Sequence, residues 1–456
     1  MPSSLPAHEP DFAAFVAIDW ADREHAWAMQ VAGGTQTESG KLAHTPEAIE
    51  AWASQLAARF AGRPVAVALE QARGALLYAL SKYQHLVLYP IHPSTSYQYR
   101  KAIFPSGSKD DPRDADLLLE LLMLHRDRLR VLRPDTGPIR QLQVMVEKRR
   151  QLVDDRKAHT NRITDQLKLY FPQVLAWFDE LSRPIVAAFL RRWPTLPQLK
   201  QEDPEVVRNF FREHGSRSQQ CIDNRLRQIR EAMPAVEDPA VVEPAVLMVR
   251  ALLGVVEALN EGIRAMEKRI EQVACGHPDY FIFASFPAAG PTMAPRLLAA
   301  FGSQRDRYGS ANQVQTFSGI APVMEASGKQ RSIHFRWVAP KFLRQTFHEY
   351  AALSIPHCSW ARAFYEAQKA RGKSHHAAVR SLAFKWIRIL FRCWQSRQPY
   401  HEDVYVAARQ ARATPLAPRT PREPATVSEQ PPIRGKREDF LLKSVREIFK
   451  SLIADA

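Results

Sequence analysis

Phe15-Val16-Ala17-Ile18-Asp19 and Val65-Ala66-Val67-Ala68-Leu69-Glu70 are the two stretches on which the fold of the N-terminal third turns. Each is a short unbroken apolar run, the pattern of a strand covered on both faces. Each closes on a carboxylate. Working outward, His25-Ala26-Trp27-Ala28-Met29-Gln30-Val31 reads as a second strand, ended by Gly33-Gly34. Residues 45–60 set Ile49, Trp52, Leu56 and Phe60 at helical spacing behind the capping stretch Thr45-Pro46-Glu47. Leu76, Leu77 and Leu80 mark another helix, and Leu86-Val87-Leu88-Tyr89-Pro90 another strand. The order β-β-α-β-α-β predicts an α/β sheet domain. Such sheets bind ligands just beyond the carboxyl ends of their strands, where Asp19 and Glu70 stand.

The next stretch, Ser106-Gly107-Ser108-Lys109-Asp110-Asp111-Pro112-Arg113-Asp114-Ala115-Asp116, predicts a helix starting near Asp110 or Asp111, since proline is tolerated in a first turn. Asp111 and Asp114 then share a face and Asp116 points elsewhere. Taken singly, these acids simply complement the positive end of the helix dipole, and Glu70 is a solvated strand end. Taken together, Asp19, Glu70, Asp111 and Asp114 are four hard oxygen donors at one sheet edge, a set that suits Mg²⁺.

The chain has 456 residues, 45% of them apolar, and a formal net charge of +15. That length predicts two or three domains, and that charge a polyanionic partner, with an anionic membrane surface as the competing reading. No stretch reads as a membrane-spanning run, and the N-terminus lacks a basic-then-apolar leader pattern. Cys221, Cys275, Cys358 and Cys393 form no Cys-x-x-Cys pair, which argues against a zinc knuckle or disulfide framework. The expectation is a reduced, cytoplasmic, nucleoid-associated protein with no membrane partner.

From about Pro138 a long helix is expected, with Ile139, Leu142, Val146, Leu152, Val153, Ile163 and Leu167 as its apolar stripe. Lys148-Arg149-Arg150 and neighbouring cations form either a solvated face or one that tracks phosphates. Residues 172–240 break into short helices at prolines, with Trp177, Phe178, Phe189 and Trp193 read as core. Val249, Leu252, Val256, Leu259, Ile263, Met266, Ile270 and Val273 keep heptad spacing, predicting a coiled coil within the chain or between protomers.

Phe286-Pro287-Ala288-Ala289-Gly290-Pro291 predicts a turn into a helix whose Gly290 amide is available to a phosphate. Farther on stands Phe317-Ser318-Gly319-Ile320-Ala321-Pro322-Val323-Met324-Glu325-Ala326-Ser327-Gly328-Lys329-Gln330-Arg331, with Arg336, Lys341 and Arg344 behind it. A hydroxyl beside a glycine and amid cations suits attack on a phosphodiester, though Ser-Gly is also a common turn pair. His348 reads as a packed helix residue, and His375-His376 diverge on a helix, which argues against a metal pair there.

These segments resemble the transposases of insertion sequence 110, the DEDD transposases. Lys109-Asp110-Asp111-Pro112-Arg113-Asp114-Ala115 answers to the family's Lys-x-Asp-x-x-Asp-Ala. The Gly-Pro turn, Phe-Ser-Gly-Ile-x-Pro and Ser-Gly answer to its C-terminal half. The stretch 335–344 departs from the family's commonest Lys-x-Gly-Asn form.

The resemblance implies an RNase H-like (RuvC-like) DEDD domain over residues 1–135 and a helical, coiled-coil region over 136–276 with an insertion at about 172–240. A mainly α transposase domain with a helix-hairpin-helix follows over 277–405, then a linker and short amphipathic helix over 406–456. It also implies a recombinase in which Asp19, Glu70, Asp111 and Asp114 hold Mg²⁺ and Ser327 is the DNA nucleophile. The nucleic-acid contacts would be Lys109, Arg113, Lys148, Arg149, Arg150, Gly290, Lys329, Arg331, Arg336, Lys341 and Arg344. The partners implied are DNA, a non-coding bridge RNA and further copies of the chain in a dimer or tetramer. Two other readings remain: a metal-dependent junction resolvase with a structural Ser327, and a non-enzymatic nucleic-acid scaffold.

Overall fold

The computed structural model describes residues 11–70, 74–103, 111–215, 218–327 and 330–413. Lys109, Gly328, Lys329 and the expected C-terminal amphipathic helix lie outside the described residues, as do the side chains of Asp111, Ser327 and Arg331.

The N-terminal sheet has five strands in the order β3-β2-β1-β4-β5. They are β1 (Ala14–Asp19), β2 (Glu24–Val31), β3 (Thr37–Ala43), β4 (Val65–Leu69) and β5 (Leu86–Pro90). Between the later strands come α1 (Pro46–Arg59) and α2 (Ala75–Leu80). β1, β4 and β5 are parallel, and β2 and β3 run antiparallel to them at one edge. Every residue of β4 is buried, as its unbroken apolar run requires. β3 is an addition to the expected order. Of Thr37-Glu38-Ser39-Gly40-Lys41-Leu42-Ala43 only Leu42 is buried, the composition of a charged edge strand rather than a core one. Gly40 pairs with Trp27, and a Cβ there would lie 2.6 Å from the indole, so glycine makes room for the ring.

One face of the sheet packs Val16, Ile18, Val67 and Leu69 with α1 and α2 residues. The other packs Ala17, Ala66 and Ala68 beneath α4 (Asp111–His125), which follows α3 (Pro93–Ile103). Small residues on that face let α4 approach the strands closely.

α5 (Gly137–Tyr170) then leads to five short helices, α6 (Gln173–Trp177), α7 (Pro184–Arg192), α8 (Leu196–Gln201), α9 (Pro204–Glu213) and α10 (Gln219–Glu231), and to α11 (Pro239–Cys275). α11 returns antiparallel along α5 in the same chain, with Arg149 bonded to Glu267 at 2.5 Å and Arg156 to Asn260 at 2.9 Å. Trp177, Phe178, Phe189 and Trp193 are buried in a core shared by the short helices and the facing ends of α5 and α11. Contrary to the expectation from sequence, α11 is long and apolar enough to cross a membrane by length and composition, with a window of mean hydropathy 1.8. Ala245, Val249, Leu252, Leu253 and Val256 supply much of that character and are buried in this core.

The C-terminal half holds α12 (Tyr280–Ala284), α13 (Gly290–Phe301), α14 (Ala311–Phe317), α15 (Lys341–Ser354), α16 (Ser359–Ala370) and α17 (His375–Ser396). A separate two-stranded sheet joins β6 (Val323–Ser327) to β7 (Gln330–His334). Glu349 ties three helices together, accepting from Arg150 of α5 at 2.8 Å and from the buried Arg296 of α13 at 2.6 Å. Burial raises its carboxyl, and the two guanidinium groups outweigh that and leave it below the usual carboxylate range. A second junction is Asp135, whose Oδ2 accepts from Ser303 N at 3.1 Å while its Oδ1 accepts from the Ser303 hydroxyl and from Thr136 N at 2.8 Å. A second unit begins at His401, and its α18 (Glu402–Ala413) opens on two acids that suit its dipole.

Candidate active site at the carboxyl edge of the sheet

The strand register brings the first two acids together. Ile18 pairs with Leu69, so Asp19 and Glu70 are the next step on adjacent parallel strands, whose backbones lie about 4.8 Å apart. Side chains alternate along a strand, so Asp19 shares a face with Ala17 and Glu70 with Ala68. That face is the one beneath α4. Asp114, in the first turn of α4, is only 4% exposed and lines one small cavity with Glu70, Ser96, Tyr99 and Arg100. Asp111 begins the same helix, as its spacing predicts.

The donors are not collected around one point. Ser96 Oγ donates to Glu70 Oε1 at 2.6 Å, and Arg100 Nη2 meets Asp114 Oδ2 at 2.5 Å. Among the described residues no group of three or more His, Cys, Asp or Glu is close enough to hold a metal ion. The donor chemistry nonetheless suits a divalent cation, because the acids are hard oxygen donors on one face and the buried Asp114 takes a positive partner. Ser96 and Arg100, both on α3, were not expected from sequence. The signal available for that helix was Pro93 at its start, since its Tyr97 and Ile103 are exposed and supply no apolar stripe.

The turn after Asp19 is pinned by histidines. His25 Nδ1 accepts from Ala21 N at 3.1 Å, which leaves its Nε2 proton to donate to His44 Nδ1 at 2.9 Å. Burial, then His44, lowers the His25 pKa. Burial likewise lowers those of His277 and His348, the latter helped by His376 and Arg380. Groups whose folded pKa is depressed stabilise the fold fully above the unfolded value near 6.5, and that contribution is lost as pH falls below it. The unfolding temperature is therefore expected to drop steadily between about pH 7.5 and about pH 5.5, read by thermal denaturation.

Ser327 ends β6, opposite Gln330 of β7, and so lies on a different sheet from the acids. Gly319, at φ +71°, sits behind this hairpin, and a Cβ there would meet Ala339 at 2.5 Å and Arg344 Nη2 at 2.9 Å. Arg344 donates to the carbonyls of Arg336 at 2.7 Å and Trp337 at 3.0 Å and lies over Phe335. It clamps its own loop. Arg149 and Arg150 are likewise engaged by Glu267 and Glu349, while Lys341 is exposed. Gly290 begins α13 at φ +49°. The His348 and His376 rings lie 5.6 Å apart and His375 meets Tyr365 at 2.8 Å, yet the rings of His375 and His376 also lie 5.1 Å apart edge to face, so the two adjacent histidines do not diverge as the sequence suggested.

A groove of about 600 Å³ opens at the foot of the hairpin, bounded by Phe335, Phe364, Lys373, Arg380, Phe384 and Lys385. Arg380 lies over Phe335 and Lys385 over Phe364. These cations come from α16–α17 and their connection, whose sequence showed only helical packing.

Comparison with known proteins gives this geometry its family. Residues 16–172 match the DEDD transposase model of IS110 elements, and residues 281–366 match the model described as "Transposase IS116/IS110/IS902 family". The mini-circle putative transposase for IS117 of Streptomyces coelicolor is 27% identical over 402 residues, covering 87% of this chain and 97% of that protein. An uncharacterized 43.6 kDa protein of insertion element IS110 from the same organism is 24% identical, over 84% of this chain and 94% of its own length. An uncharacterized 42 kDa protein of IS900 from Mycobacterium paratuberculosis is 24% identical, over 69% and 79%. The matched segments carry the carboxylate edge and the serine hairpin alike, and the chain belongs to the IS110 family of transposases.

Proposed function

We propose that this transposase excises and inserts its element by phosphoryl transfer through Ser327, with Mg²⁺ held by Asp19, Glu70, Asp111 and Asp114. The observation that carries this reading is the matched register of Asp19 and Glu70 on the face that also bears Asp114. Mg²⁺ bound there would offset phosphate charge and orient the scissile bond. The Ser327 hydroxyl loses its proton and bonds to phosphorus while a deoxyribose oxygen leaves with the bonding pair and is protonated. Attack by a different deoxyribose hydroxyl reverses the step and frees the serine, so bond energy is conserved. The acids and the serine belong to separate sheets, and in this reading the working site draws them from different subunits of a dimer or tetramer.

The groove cations Lys373, Arg380 and Lys385 are added to Lys109, Arg113, Lys148, Lys329, Arg331, Arg336 and Lys341 as backbone contacts, with the Gly290 amide on a further phosphate in a helix-hairpin-helix. A bridge RNA supplies target and donor pairing, and ribonuclease treatment is expected to abolish site-specific exchange.

The deciding experiment is to denature the protein after incubation with element-end DNA and map the adduct by mass spectrometry. A nucleotide on the peptide containing Ser327, lost in Ser327→Ala, is the expected result. Continued DNA cleavage by Ser327→Ala would instead make water the nucleophile and the protein resolvase-like.

A further inference from the structure

Ser96 and Arg100 are four residues apart on one face of α3, and each holds a different acid of the site. Ser96 engages Glu70 at 2.6 Å and Arg100 engages Asp114 at 2.5 Å. The cavity these four line has room for about 10 Å³, a single water-sized sphere. Mg²⁺ gives up water reluctantly and keeps several ligands around it, so it does not fit beside the guanidinium. Asp114 is 4% exposed and Arg100 21%, so the ionised carboxylate has little solvent to fall back on and gains from a positive partner. Arg100 Nε is buried without a hydrogen-bond partner, so this nitrogen adds nothing to the hold on Asp114.

We infer that Arg100 is a built-in stand-in for the divalent cation, neutralising Asp114 in the metal-free protein and giving way when an ion binds between Glu70 and Asp114. The inference rests on the metal-site reading above. Occupancy of Asp114 by Arg100 and by metal are mutually exclusive, so the arginine sets the metal threshold of the site, and α3 shifts or its arginine swings out when metal enters. A displaced guanidinium stays within reach of the same cavity, where an incoming phosphate is its natural acceptor.

The test is Mn²⁺ titration of the full chain, freed of nucleic acid, with unbound Mn²⁺ read by electron paramagnetic resonance. Arg100→Gln is expected to lower the half-saturating Mn²⁺ concentration about tenfold. It is also expected to unfold at a lower temperature than the parent without Mn²⁺ and to gain more from adding it. Arg100→Lys, which keeps a charge but loses the planar fork, is expected to fall between and serves if the glutamine variant does not fold. Half-saturation unchanged or raised in the variant overturns the stand-in. Asp114→Asn and Glu70→Gln separate the two readings. If they leave Mn²⁺ binding intact, the metal site itself is wrong; if they abolish it while the Arg100 variants match the parent, only the stand-in fails.

Discussion

Asp19→Asn is expected to reduce excision of the element from a plasmid by about a thousandfold or more, with the unfolding temperature and DNA affinity unchanged. The substitution keeps size and hydrogen-bonding shape and removes one negative charge from a cation-seeking edge. Glu70→Gln is expected to do the same, because its amide oxygen can still accept from Ser96 and the strand pairing of Ile18 with Leu69 is untouched. The measurement is a plasmid excision assay run beside thermal denaturation and a DNA gel shift. Wild-type excision by Asp19→Asn would falsify the carboxylate site and favour a scaffold role.

Gly302→Ala is expected to be the most damaging glycine-to-alanine change among the described residues, costing about 3–5 kcal/mol. Gly302 caps α13 at φ +73° and ψ −169°, a backbone region essentially closed to other residues. Its added Cβ would stand 2.1 Å from Asp135 Oδ2, the carboxylate that fastens Ser303 and the start of α5. The Gly302 carbonyl also accepts from the buried Trp394 indole at 2.8 Å, so the backbone cannot swing away freely. Urea unfolding of the purified variant checks this, and a loss below about 1 kcal/mol would mean the junction yields easily.

What was legible in the sequence follows from what burial demands. β1, β4 and β5 had to be apolar on both faces and therefore read clearly. The acids read clearly because they interrupt such runs. β3 did not, since a solvent-facing edge strand needs no apolar pattern. α3 was passed over for a similar reason: among its residues Ser96 alone is buried. That cost the site its two unexpected members. The hairpin β6–β7 exposes Met324 and Ile333, so its apolar residues mark no core. Charge counting identified Arg149, Arg150 and Arg344 as cations near the right place, but only coordinates reveal that each is committed to a partner within the chain.

The short helices α6–α10 share their aromatic interior with Ile163 and Leu167 of α5 and with Val249, Leu252 and Val256 of α11. They are thus the roof over one end of a two-helix mast. A miniaturised protein that simply splices the mast across this point would present a greasy stump to water. It would need new polar side chains at those five positions before it stayed in solution.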